Sequence, residues 1–497
     1  MDRQVRRLAL ALGVMFVILF AQLNYLQVFA ASSIFNNPAN EKRRIIQDFQ
    51  VRRGEIVARD GHTVLADSIP TSGALKFLRN YPQGSLYAHI TGFDSLVFGA
   101  TRLESTYNDF LGARATELLP STIEDEILNR PKRGGTVVTT IHPKLQQVAE
   151  HALSQAVTNG GAVAALDPRT GEVLALVSIP SFDPNPLSTH NPKGIRAAMK
   201  RLKPRSPKTP LLSNATDQLF PPGSTFKLVD TAAALEAGLT PSSKFPNPPQ
   251  LTLPQTTHKL SNFGGEHCAG GASTITLEEA LVESCNVTFA EIGLKLGTAR
   301  LFDQARKFGF AGHVDFDVPF SEGRFPSPSD VPDNSPGLAF SAIGQQDVAA
   351  NPLQMALVGA AIGNGGVEMQ PHLVRQILDP QGVPIRTIGP TEFGRPISGR
   401  TAAIETKLME EVVQRGTGTA AQIPGVPVAG KTGTAETPGG KPHAWFVAFA
   451  PAQHPRIAVA VVVLNGGSLG SEATGGQVAA PVARAVIQAA LSRGGGG

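Results

Sequence analysis

Pro222-Gly223-Ser224-Thr225-Phe226-Lys227 opens a run of Leu228, Val229, Thr231, Ala232, Ala233, Ala234 and Leu235 that stops at Gly238. A glycine just past such a run is a helix stop signal, so Ser224 is expected at a helix start. Residues i and i+3 share a face, which brings the Lys227 amine toward the Ser224 hydroxyl, and a helix N-terminus favours negative charge developing nearby. A serine hydroxyl is a poor nucleophile until a base takes its proton. A lysine with an ordinary pKa of about 10.4 can serve only if burial or another cation shifts it down. Taken alone, the same letters describe an amphipathic helix with an exposed lysine.

Order along the chain adds specificity. Ser284-Cys285-Asn286 follows, and then Lys431-Thr432-Gly433-Thr434, with Lys431 the candidate for the second cation. Around these motifs, Leu145, Val148, Ala149, Ala152, Leu153 and Ala156 recur at helical spacing, and Asn159-Gly160-Gly161 ends that pattern. Ala162 to Leu166 and Glu172 to Ser178 read as strands, as do Ala444 to Ala450 and Ile457 to Leu464, and Val478 to Leu491 reads as a closing helix. Strands at both ends with helices between predict an α+β unit in which terminal hairpins and a final helix share one sheet. Periodicity leaves the strand order open.

Upstream, Ile56 to Arg59 and His62 to Leu65 flank Asp60-Gly61, which predicts a tight hairpin. The segment from residue 32 to 141 otherwise shows no paired acids, and Glu104 and Asp109 read as solvated or salt-bridged surface carboxylates. It is expected to be a non-catalytic domain. Pro-rich stretches at 180–186, 203–210, 241–254 and 317–336 read as loops, and the basic run Lys193 to Lys208 is assigned to such a solvated loop, against a membrane-surface or polyanion contact. No internal repeat is evident.

Composition narrows the functional class. The 497 residues, 41% hydrophobic, are enough for a sizeable core, and 51 Gly with 39 Pro stay below the share that marks low complexity. A net charge of +4 is weak support for nucleic acid, which is not expected as a partner. Two cysteines exclude a disulfide-rich scaffold and cannot build a four-ligand zinc site alone; no metal and no cofactor are assigned. Arg3, Arg6 and Arg7 precede an apolar stretch running from Leu8 to Ala31, long enough to span a bilayer, with the arginine end on the cytoplasmic side. A buried core helix or a signal peptide cleaved after Val28-Phe29-Ala30 are the rival readings. In the exterior compartment that follows, Cys268 and Cys285 are a candidate disulfide, the alternative being two buried thiols.

Three motifs mislead. Gly425 to Thr432 matches a phosphate-binding loop letter for letter, but Gly433 through Pro442 cannot form the helix that such a loop must open. Gly466-Gly467-Ser468-Leu469-Gly470 matches a nucleophile elbow, yet no Asp or His follows Ser468 to complete a triad. Glu266-His267-Cys268 suggests metal ligands, without a supporting His or Cys pattern.

Ser224-Thr225-Phe226-Lys227, Ser284-Cys285-Asn286 and Lys431-Thr432-Gly433-Thr434, in this order, resemble the class B penicillin-binding proteins, the monofunctional transpeptidases. So do Arg53-Gly54-Glu55-Ile56 with Asp60-Gly61, His89-Ile90-Thr91-Gly92 leading to Leu103-Glu104, Asp167 to Glu172, and Pro352-Leu353-Gln354. The compact length is most like the penicillin-binding protein A type of actinobacteria. Ser213-Asn214 and Asn351 depart from the common pattern without touching the catalytic set. The resemblance implies an anchor over 1–31, a dimerisation or pedestal domain over 32–141, a transpeptidase domain over 142–493 and a tail over 494–497. It implies a membrane-anchored enzyme of cell-wall synthesis, exterior to the cytoplasmic membrane, that crosslinks D-alanyl-D-alanine stem peptides of peptidoglycan and is trapped by β-lactams. Division or elongation proteins are the implied partners. Ser224 is the implied nucleophile, Lys227 its base, Ser284 the proton relay and Asn286 the amide holder; Lys431, Thr432 and Thr434 bind the terminal carboxylate, with Gly433 between them. A D,D-carboxypeptidase and a non-catalytic cell-wall scaffold are the alternatives; a β-lactamase would need fast deacylation, and no E-x-x-x-N element for it follows the second motif at a suitable distance.

Overall fold

The computed structural model describes residues 3–29, 41–265, 267–437 and 439–492. Gly494 to Gly497, Ala30 of the cleavage-like triplet and Glu266 of the metal-like triplet lie outside the described residues. Arg3–Asn24 is one helix whose side chains are all exposed, continued by a π-helical turn over Tyr25–Phe29. At 1.5 Å per residue its 22 residues reach about 33 Å, matching a bilayer core.

Near-continuous apolar runs form the main sheet. It is antiparallel, with strand order Ala429–Ala435, His443–Ala450, Ile457–Val463, Gly161–Leu166 and Val173–Ile179. The first hairpin of the unit therefore lies beside the last, Val461 opposite Val163 and Ala460 opposite Ala164. Both faces are covered, which is why these strands are apolar throughout. Ala164, Val447, Phe449, Ala460 and Val462 pack toward the buried helix Pro352–Gly363, whereas Val163, Phe446, Ala448, Val459 and Val461 pack toward Pro143–Ala156 and Ala480–Leu491. The α+β expectation holds, and the sequence matching a phosphate-binding loop runs from a turn at Gly425 into the edge strand Ala429–Ala435 instead of opening a helix. Thr474, with Gln477, caps the turn that leads into the last helix.

A second sheet of six strands runs Pro384–Thr387, Val374–Leu378, Thr136–Thr139, Ile56–Val57, Val64–Pro70, Phe77–Asn80. Its first two strands come from the far half of the chain, so the sheet crosses residue 142. Side chains lock the same junction: Arg102 pairs with Asp217 at 2.5 Å, and the Tyr107 hydroxyl donates to Asp317 at 2.5 Å.

Four local expectations are corrected. The hairpin at Asp60-Gly61 is wider than a two-residue turn: Ala58 donates to Thr63, and the Asp60 carboxylate accepts from the His62 and Thr63 amides, so its side chain replaces part of the ladder. Glu104 is fully buried, held 2.6 Å from both Arg53 Nε and Arg79 Nε, because two guanidinium groups offset its desolvation; Asp109 is exposed beside Arg114. The basic run begins on a helix, Pro192–Arg201, whose Ile195 and Ala198 face the interior and whose N-cap, Asn191, accepts from the Lys193 and Gly194 amides. Within the Pro-rich stretch 241–254, Lys244–Pro246 and Gln250–Thr252 each form a short two-stranded ribbon, with Thr274–Thr276 and Lys259–Ser261.

Candidate active site

Gly223–Phe226 is a 3-10 turn that feeds the helix Lys227–Glu236, buried from Lys227 through Leu235. In a 3-10 turn residues i and i+3 eclipse, so Ser224 and Lys227 stand on one face, as the spacing predicts. The turn is held from three sides. Phe226 packs between Phe325 and Phe310, with ring centroids 5.3 and 5.5 Å away. Gly223 has φ +52° and leaves no room for a Cβ, which would lie 2.7 Å from the Thr434 carbonyl oxygen. Gly344, at φ +71°, touches the turn from behind: a Cβ there would sit 2.1 Å from the Gly223 carbonyl oxygen.

Those contacts bring the three motifs together. Ala429–Ala435 is the edge strand of the main sheet, with Lys431 opposite Val447 and Gly433 opposite Trp445. Its free edge faces the nucleophile turn. The N–H and C=O of one strand residue point to the same edge, so the Thr434 N–H shares the side on which its carbonyl meets Gly223. Gly433 has no space for a side chain against Pro222 and Thr225. Asn286 begins the helix Asn286–Leu296, and Ser284 precedes it at φ +65°, a conformation that serine adopts only when its surroundings hold it. Cys285 and Cys268 form a disulfide, so the second motif is tied covalently to the loop that follows the strand Lys259–Ser261. Their bonded sulfurs offer no thiolate to a metal.

Hydrogen bonds then connect the side chains. Lys227 Nζ donates to the Ser284 carbonyl at 2.7 Å and to Asn286 Oδ1 at 2.9 Å. Lys431 Nζ donates to Ser284 Oγ at 2.8 Å and to the Thr432 carbonyl at 2.9 Å. Thr432 Oγ1 meets Thr417 Oγ1 at 2.6 Å. The sequence-based expectation differs from the structure at one place: Ser224 Oγ makes no hydrogen bond to Lys227 among the described residues, because the amine is engaged by the second motif. Catalytic hydrogen bonds often tighten only when substrate is present.

Both lysines are fully buried. Burial, followed by the nearby charge of Lys431, holds Lys227 well below the usual lysine range, against an opposing pull from Asp230. Burial also brings Lys431 down to about 7. Asp230, one turn after Lys227, is buried with neither carboxylate oxygen hydrogen-bonded among the described residues, and burial pushes its pKa well up. A lysine in this setting can be neutral near pH 7 and take a proton.

Ser224, Ser284, Asn286, Thr432 and Thr434 line one open cleft of about 1130 Å³, with the amines of Lys227 and Lys431 behind its wall. Thr417, Arg415, Gln345, Gln346 and the Thr474–Gln477 turn also line it and were not anticipated. They come from loops without a motif; only Gly344 and Gly475 carried a signal, a glycine where backbones approach closely. The cleft unites a serine on a helix-leading turn, two amines of depressed basicity and an outward-facing strand edge. That combination is suited to acyl transfer through a covalent serine ester.

The chain belongs to the penicillin-binding proteins that carry a transpeptidase domain. Residues 161–488 match the penicillin binding protein transpeptidase domain, and residues 53–137 match the penicillin binding protein A dimerisation domain. It is 41% identical to the peptidoglycan D,D-transpeptidase PbpA of Mycolicibacterium smegmatis, over 99% of this chain and 100% of that one. It is equally similar, at 41%, to the PbpA of Mycobacterium tuberculosis, over 99% of each. Among solved structures, penicillin-binding protein A from M. tuberculosis as a ceftriaxone acyl-enzyme complex superposes with a TM-score of 0.85 at 41% identity, covering 90% of this chain and all of that one. Its penicillin G acyl-enzyme complex gives 0.83 at 42%, over 89% and 100%.

Proposed function

We propose that this chain is a membrane-anchored serine D,D-transpeptidase that crosslinks peptidoglycan stem peptides and is acylated by β-lactams at Ser224. The observation that supports this reading most is the meeting of Ser224, Ser284, Asn286, Thr432 and Thr434 in one cleft backed by two buried lysines. Ser224 Oγ attacks the penultimate D-alanine carbonyl while Lys227, held neutral by burial and by Lys431, accepts its proton. The amides of Ser224 and Thr434 stabilise the oxyanion, a role in which one donor is worth about 3–4 kcal/mol. The C–N bond breaks as Ser284 gives its proton to the departing D-alanine and takes one in turn from Lys431, and an ester on Ser224 remains. Ser284 suits this relay because its hydroxyl already accepts from Lys431. Asn286 fixes Lys227 and the substrate amide, while Lys431, Thr432 and Thr434 meet the terminal carboxylate, with Gly433 allowing the strand to approach the turn. An amine from a neighbouring stem peptide then attacks the ester and gives up a proton through Ser284 to Lys431, while the ester C–O bond breaks and Lys227 returns its proton to Ser224.

The helix Arg3–Asn24 suits a single-pass anchor, with Arg3, Arg6 and Arg7 at a cytoplasmic end and the rest of the chain outside. Residues 32–141 serve as the pedestal and 142–493 as the catalytic unit, a division supported by the two matched ranges although one sheet joins them. Division or elongation proteins are the proposed partners of the pedestal. Labelling the full chain with a fluorescent penicillin tests the proposal: a covalent adduct lost in Ser224→Ala supports it, and unchanged labelling of that variant refutes it. Supplied with a D-Ala-D-Ala donor and a D-amino acid acceptor, the enzyme is expected to exchange the terminal residue. Release without exchange identifies a D,D-carboxypeptidase, and neither adduct nor release identifies a scaffold.

A further inference from the structure

No acidic residue lies between Asp183 and Asp217, whereas Lys193, Arg196, Lys200, Arg201, Lys203, Arg205 and Lys208 fall within that interval. All seven are exposed, and none of them forms an ion pair among the described residues. The helix Pro192–Arg201 turns Ile195 and Ala198 inward, so the face it offers to its surroundings is cationic. Where that helix ends, Arg196, Met199, Lys200, Lys203, Pro204 and Arg205 wall a groove of about 360 Å³. Four cations around a small concavity, with an apolar methionine in its wall, suit a phosphate headgroup bearing an acyl glycerol.

Position selects the source of that phosphate. The chain arriving from the anchor forms the helix Glu41–Asp48, and the next residue, Phe49, packs edge-on against His190 at 5.5 Å, two residues before the basic helix begins. The Phe49 carbonyl accepts from Lys76 and Phe77, and the Phe77 carbonyl bonds His190 Nε2 at 3.0 Å, so tether and basic helix are fastened to one another. Residues 30–40 extend at most about 40 Å, which keeps this junction near the bilayer. A tethered surface meets its membrane at high effective concentration, where even modest attraction per charge is felt.

We propose that the basic face over residues 193–208 is a second membrane contact, which docks on anionic phospholipid of the bilayer holding the anchor and so orients the catalytic unit above it. This rests on the anchor reading given above. Each cation near an anionic surface raises occupancy about fivefold at physiological salt, so neutralising four is expected to cost several hundredfold.

The test uses the full chain in lipid nanodiscs, with bimane on Ala197→Cys, an exposed position on the same helix, and a headgroup-nitroxide lipid as quencher. Discs containing about one third phosphatidylglycerol are expected to quench the bimane strongly, and discs of phosphatidylcholine alone weakly. Substituting Lys200, Lys203, Arg205 and Lys208 together by Gln, or raising salt to about 0.5 M, is expected to abolish the difference while Ser224 still labels with penicillin. Equal quenching in both lipids, with the chain retained in the discs, overturns the docking alone. Chains that leave discs of either composition overturn the anchor and the docking with it. Quenching relieved by a soluble polyanionic wall polymer but insensitive to phosphatidylglycerol assigns the face to that polymer and refutes the proposal.

Discussion

Removing the disulfide between Cys268 and Cys285 by the double substitution Cys268→Ala and Cys285→Ala separates two effects, because the bond ends inside the second motif. The cysteines are 17 positions apart. A loop of that length withdraws about 10 cal/mol/K from the unfolded chain, or about 3 kcal/mol at 25 °C. Spread over a catalytic unit of roughly 350 residues, with about 2.1 cal/mol/K of unfolding entropy per residue, this shifts Tm down by about 4 °C. Cys285 is the N-cap residue of the helix Asn286–Leu296 and follows the strained Ser284, whose carbonyl accepts from Lys227. Loosening it frees that carbonyl and lets Ser284 relax toward negative φ, so penicillin acylation is expected to slow by about tenfold, the kinetic equivalent of about 1.4 kcal/mol. Calorimetry with and without reductant, and stopped-flow labelling of the same samples, measure the two quantities. The parent should lose the same 4 °C on reduction that the variant has already lost. An unchanged Tm under both treatments refutes the constraint, and a lowered Tm with unchanged acylation refutes the link to Ser284.

Glu368 is buried with neither carboxylate oxygen partnered among the described residues, and burial raises its pKa from 4.5 to about 8. The folded chain therefore keeps a proton that the unfolded chain releases, and stability falls as pH rises from 4.5 to 8; Glu368→Gln should flatten Tm against pH over that window and raise Tm at pH 8. The acid limb of acylation reports Lys227, which must be neutral to act. Because the Lys431 charge lowers the Lys227 pKa, Lys431→Gln should move the residual acid limb to higher pH, and an unmoved limb removes Lys431 from that role. Gly344→Ala combines φ +71° with a Cβ 2.1 Å from the Gly223 carbonyl oxygen, so labelling at Ser224 should fall at least a hundredfold; normal labelling shows that the turn can shift. Breaking the buried network by Glu104→Gln, which leaves Arg53 and Arg79 facing a neutral amide, should cost about 3–5 kcal/mol by urea unfolding.

What the sequence determined by itself was local. Pro222 through Gly238 set a helix with the serine at its mouth, and the apolar runs at 162–166 and 457–464 read as strands. Those readings depend on periodicity and turn chemistry, which act between near neighbours. Ordered motifs and the resemblance they carry also named the residues that later meet in the cleft. Tertiary structure decided the rest. Whether Glu104 lay on the surface or in the core depended on two arginines, 51 and 25 positions away, converging on it. That Val374–Leu378 completes a sheet begun at Ile56 followed from pairing across more than 200 residues, which no local pattern records. The partner of Lys227 was likewise a matter of packing: spacing put the amine on the face of Ser224, but the Ser284 carbonyl and Asn286, folded in from a distant helix start, claimed its hydrogen bonds. Short-range geometry is written in the order of side chains, whereas burial, charge state and hydrogen-bond choice belong to the surroundings that folding assembles.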